Sequence, residues 1–89
     1  MDISELRGKI DAIDDQLVQL FAQRMDVAAQ IAEYKKEHNM PIFVPARERE
    51  KLADVAEKAG PEMAEYAMKL YHLLFDLSRD YQSVHTEVV

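Results

Sequence analysis

The sequence predicts an all-α fold of three helices, one of them very long, in a chain that needs a second copy of itself. Three observations carry this. An apolar row at alternating spacings of three and four runs through Ile3, Leu6, Ile10, Ile13, Leu17, Leu20, Arg24, Val27, Ile31, Tyr34 and His38, the pattern of a helix packed along other helices. No proline interrupts the row, and its one glycine, Gly8, lies near its start. A helix from Asp2 to Asn39 would be roughly 55 Å long, whereas a compact chain of this length has a radius of gyration of about 12 Å and is roughly 30 Å across. One copy cannot cover such a row, so an obligate oligomer is expected, most simply a two-fold dimer with the long helices side by side.

Each element has its own signals. Asp2 and Glu5 have the spacing of a capping box, and the first helix ends at His38-Asn39-Met40-Pro41, because the residue before a proline avoids the helical region. Pro41 to Val44 reads as an extended connector packed against the bundle. Pro45 opens a second helix that Gly60-Pro61 closes, with Glu48, Leu52, Val55 and Ala59 on one face. The third helix runs from about Pro61 to about Ser83. Its expected core face is Met63, Ala67, Leu70, Leu74, Leu77 and Tyr81, with Tyr71, Phe75, Ser78 and Gln82 as an adjoining stripe. His85 to Val89 carry no pattern and are expected to fray.

Composition narrows the function classes. With 89 residues, 48% of them hydrophobic and 31% charged, the chain reads as a single globular domain over 1–89. There is no cysteine, which removes disulfides and thiolate ligands, and His38, His72 and His85 are scattered without a zinc-type pairing. No metal or cofactor is expected. No basic flank leads an apolar segment at the N-terminus and no apolar run approaches the ~20 residues that span a bilayer, so a soluble, cytoplasmic protein away from membranes is expected. A net charge of -6 argues against a nucleic-acid surface.

Chemistry should reside in polar groups on faces that ought to be apolar. Arg24 is the one fixed charge in the apolar row, where an unpaired guanidinium would be costly, so an anion should meet it. Lys35 lies three turns on, on nearly the same face and roughly 16 Å up the helix, with Ala28 and Ile31 as a floor between. Two cations bracketing a concave apolar stretch suit a small polyanion. Arg7 lies near the far end of the same helix and cannot readily reach that place within one chain, but could reach it in the partner of an antiparallel dimer. Glu48 lies in line with a buried stripe, and Ser78 and Gln82 are one turn apart on the inner flank of the third helix. Each also has a plainer role. A helical Lys or Arg usually lays its methylenes over apolar surface, Glu48 suits a helix start, Ser78 suits a small filler, and Gln82 near a chain end is usually exposed.

Taken together, Leu6-Arg7, Ile10 to Asp14, Leu17 through Arg24, Tyr34-Lys35, Pro45-Ala46-Arg47-Glu48, and Ser78 with Gln82 resemble the all-helical, AroQ-type (type II) chorismate mutases, from about Ser4 to Gln82. The resemblance implies an intertwined helical homodimer with two sites, converting chorismate to prephenate in aromatic amino-acid biosynthesis without a cofactor. Arg7 would be donated to the partner's site, Arg24 and Arg47 would complete a carboxylate clamp, and Lys35 and Gln82 would bond the ether oxygen. Glu48 would contact the ring hydroxyl, and Ser78 the pocket edge. The chain leaves no room for a fused second enzyme, so a monofunctional mutase is expected.

One position departs from the family pattern. Val44 stands where an Asp is usual, and it can neither cap the second helix nor orient a hydroxyl. An apolar residue there resembles the isochorismate-pyruvate lyases of the same fold, which release salicylate. Those resemble Pro at the position of Arg47, however, and retention of Arg47 beside Glu48 favours the mutase. A non-catalytic helical dimerisation module is a third reading, against which stand Arg24 in the seam and Glu48 on an apolar face.

Overall fold

A computed structural model describes residues 2–86 and, among them, three α-helices and no strand. Helix α1 spans Ile3–Glu37, α2 spans Pro45–Ala59 and α3 spans Ala64–Thr86. Asp2 caps α1, its Oδ1 accepting the Glu5 N–H at 2.9 Å. The exit from α1 comes before Asn39, through a Schellman motif rather than at the proline. Asn39 takes a left-handed φ of 54°, its N–H donates to the Lys36 carbonyl at 3.4 Å, and the Met40 N–H donates to the Lys35 carbonyl at 2.8 Å.

Val44 precedes α2 in extended conformation and makes no side-chain capping bond, and Pro45 follows as the first helical residue. At the other end Gly60 adopts φ 83°, which a side chain would resist. A turn closed by Met63 and Ala64 N–H groups on the Gly60 carbonyl follows, so α3 starts at Ala64 and not at Pro61. At its C-terminal end α3 continues beyond Ser83 through His85 and Thr86, with Tyr81 and His85 in edge contact one turn apart. Glu87 to Val89 of the expected frayed end lie outside the described residues.

Helix α3 packs against both α1 and α2, while α1 and α2 stand apart. The buried apolar residues are few: Ala28 and Ala32 on α1, Val55 on α2 and Phe75 on α3. Small alanines let α3 approach α1 closely at this level. The stripe of α3 that turns inward is Phe75, Ser78 and Gln82, whereas Met63, Leu70 and Leu77 of the expected core face are exposed. Within one chain, that face is therefore not the buried one, although Ala67, Leu74 and Tyr81 on it are half-buried. The more apolar stripe is the one left for another surface, and the stripe with polar interruptions faces the chain's own helices.

The same division holds on α1. Residues 2–23 are exposed throughout, including Ile3, Leu6, Ile10, Ile13, Leu17 and Leu20 of the apolar row. The chain measures 54 × 29 × 14 Å with a radius of gyration of 16.3 Å, against about 12 Å for a compact domain of its length. Its accessible area of 7137 Å² exceeds by roughly a third what a compact monomer of this mass exposes. Contiguous apolar surface on this scale marks an interaction face.

Candidate active site

The gap between α1 and α2, bordered also by α3, is a cavity of about 510 Å³, a size suited to a small molecule. Seven of the eight residues singled out from the sequence line it: Arg24, Lys35, Val44, Arg47, Glu48, Ser78 and Gln82. They come from all three helices and the connector, and Ala28 and Ile31 form the expected apolar floor. Arg7 is exposed near the far end of α1 and does not line the cavity of its own chain.

On α1, Arg24 is half-buried with its guanidinium carbon 5.8 Å from the Tyr71 ring centroid, a cation–π contact that keeps the charge upright between helices. Arg24 also borders an apolar groove formed by Leu17, Phe21, Leu70 and Leu74, so it stands at the divide between polar cavity and bare helix surface. Three turns on, the Lys35 Nζ donates to the Ile42 carbonyl at 2.9 Å. That bond ties the connector to α1 and holds the ammonium at the cavity wall with two further N–H bonds to offer.

On α3, Ser78 is 8% and Gln82 7% exposed, which sets aside the solvent-exposed role for Gln82. The Gln82 Nε2 donates to the Ser78 Oγ at 3.0 Å, fixing the amide across one helical turn. On α2, Arg47 is exposed and its Nη1 donates to Glu50 at 3.0 Å, an i,i+3 surface pair that a ligand carboxylate could displace at little cost. Val44 places an apolar wall at the start of α2.

Glu48 is held by a residue that the sequence reading did not single out. Arg79, one position after Ser78, donates from Nη1 to both Glu48 oxygens, at 2.6 Å to Oε1, and its Nη2 donates to Asp76. Its guanidinium carbon sits 4.7 Å from the Phe43 ring centroid. The hydrogen bond that it donates to Glu48, opposed by partial burial, raises the Arg79 pKa above the ordinary guanidinium value. The one clue in the sequence was that Arg79 neighbours the inward stripe. Its partner lies thirty-one residues away on another helix.

The cavity thus presents several cations, a buried amide and a hydroxyl over an apolar floor, the donor set for a small anion rather than for a metal. No cluster of His, Asp or Glu that could hold a metal ion occurs among the described residues. No described helix is long and apolar enough to cross a membrane.

Residues 6–83 match the family model for chorismate mutase type II. The chain belongs to the chorismate mutase type II family. Within 61 residues it is 41% identical to the T-protein of Haemophilus influenzae, covering 65% of this chain and 16% of that one. It is 40% identical over 47 residues to the chorismate mutase of Methanocaldococcus jannaschii, covering 53% of this chain and 48% of that one. It is also 35% identical over 46 residues to the 4-amino-4-deoxychorismate mutase of Streptomyces venezuelae, covering 52% and 45%. The matched region is thus less than half the length of each of these relatives. No solved structure matches the chain significantly. The all-α, three-helix architecture expected from the sequence is that of a chorismate mutase type II chain.

Proposed function

We propose that the chain is a chorismate mutase, acting as a homodimer in which Arg7 of each protomer completes the cavity of the other. The observation that carries this is the convergence of six matched positions, Arg24, Lys35, Arg47, Glu48, Ser78 and Gln82, from three helices on one cation-rich cavity in a chain of this family. The rearrangement of chorismate to prephenate is unimolecular, with one C–O bond breaking as one C–C bond forms, and it needs no nucleophile and no proton transfer. The protein's task is to hold a flexible dianion in its reactive chair and to stabilise the charge that develops on the ether oxygen.

Arg24 and Arg47, with the partner's Arg7, suit the first task, because guanidinium groups grip carboxylates through two parallel bonds. Lys35 and Gln82 suit the second, offering an ammonium from α1 and a neutral amide from α3. Glu48 is suited to accept from the ring hydroxyl, with Ser78 at the edge. The bare half of α1 and the exposed stripe of α3 support the two-fold assembly, since each needs an apolar cover that one chain lacks. A biosynthetic enzyme of this kind is expected in the cytoplasm.

The apolar wall at Val44 favours one second reading, the isochorismate-pyruvate lyase. A parallel assay separates the two. Purified protein supplied with chorismate should yield prephenate, and supplied with isochorismate should release little salicylate. Dominant salicylate release would replace the mutase by the lyase, and silence on both would leave a dimerisation module.

A further inference from the structure

We propose that Arg79 is a specificity-determining residue, which neutralises Glu48 so that the cavity accepts a substrate bearing a ring hydroxyl and rejects its ring-ammonium counterpart. The inference rests on the mutase reading and deepens it. Among the described residues lining the cavity, Arg24, Lys35, Arg47, Lys51 and Arg79 carry cations and Glu48 carries the carboxylate. A ligand ammonium would therefore have to pair with Glu48. That carboxylate already receives Arg79 on both oxygens.

The two candidate groups fare differently there. An ionised carboxylate has about four lone-pair sites, and the two taken by Arg79 leave room for a hydroxyl to donate one more bond. A hydroxyl brings no charge, so the guanidinium beside it is no obstacle. An ammonium in the same place would meet a carboxylate whose two oxygens Arg79 already bonds, with that guanidinium alongside.

Arg79 is built to stay in place. Asp76 holds its second nitrogen from one turn away on α3, and the guanidinium carbon lies over the ring of Phe43 in the connector. The pair is part-buried, with side-chain exposures of 30% for Arg79 and 23% for Glu48, so water screens it less than a fully exposed surface pair. A neutral side chain at 79 would leave Glu48 as an uncompensated anion in the cavity wall, the feature that an ammonium seeks.

The experiment compares kcat/KM for chorismate and for 4-amino-4-deoxychorismate in the unchanged protein and in the Arg79→Met and Arg79→Lys variants. The unchanged protein should prefer chorismate. Arg79→Met should move the ratio at least tenfold towards the amino compound, and Arg79→Lys, which keeps the charge, should restore most of the preference. Helix content and melting temperature of each variant accompany the assay. If Arg79→Met fails to fold, Arg79→Gln supplies the neutral side chain with similar reach and the same ratio is read. Turnover of chorismate with a ratio that does not move in a folded neutral variant would overturn the role of Arg79 and leave the mutase reading standing. An unchanged protein that preferred the amino compound would also overturn it. No turnover of either compound by the unchanged protein would overturn the mutase reading, and this inference with it.

Discussion

Arg24 lies in a row whose neighbours at three and four residues are Leu20, Val27 and Phe21, and it borders both the polar cavity and the apolar groove. A leucine there would suit the packing better and the proposed chemistry worse. Arg24→Leu should therefore lower kcat/KM for chorismate by about a hundredfold or more, the order lost when one preorganised charge-stabilising donor is removed. Its melting temperature should be equal or higher. Full activity in that variant would remove Arg24 from the site. Arg24 was legible because it breaks an apolar pattern, and Lys35 because helical geometry returns it to the same face. Arg79 was not legible for the converse reason. It sits among Asp76, Ser78 and Asp80, where a charge looks solvated, and the pairing that turns it inward depends on where α2 lies.

At the scale of elements, helix existence was legible from periodicity and helix ends less so. Pro41 suggested where α1 must stop, but the carbonyls of Lys35 and Lys36 are satisfied earlier, by Asn39 and Met40 folding back. This placement makes Asn39 the residue that tolerates a left-handed backbone. Asn39→Val should destabilise the fold by about 1–2 kcal/mol, lowering the melting temperature by several degrees, whereas Asn39→Gly should not lower it. Equal melting of both variants would mean that the turn does not need its left-handed residue. The two stripes of α3 mark a deeper limit of pattern reading. Period alone finds apolar faces, and says nothing of whether the cover comes from the same chain. Here Phe75, Ser78 and Gln82 took the intramolecular face because that stripe, with Arg79 beside it, adjoins the gap left by α1 and α2.

At the scale of the whole molecule, the length of the first helix told more than any residue. A straight helix of 35 residues outruns what two short helices can cover, and the exposed half of α1 is the outcome. In the proposed homodimer that half lies on the partner, carrying Arg7 with it. Arg7→Ala and Lys35→Ala should each be inactive alone. Mixed by co-refolding, they should recover roughly a quarter of the unaltered activity, because half of the dimers are mixed and each mixed dimer holds one intact site of two. Mixed dimers that form and stay inactive would contradict the shared site.

The uncovered half of α1 also bears on how such a protein comes into being. The four buried apolar side chains among the described residues give a lone chain little to fold around, so in the proposed dimer most of the stabilising burial would arrive with the second chain. In the proposed homodimer, folding and encounter would become one event governed by mass action, and stability would rise with the protein's own concentration. A newly made chain would wait as a partly ordered species until its neighbour is synthesised. Expression level, as well as sequence, would then set how much of it is ever able to turn over substrate.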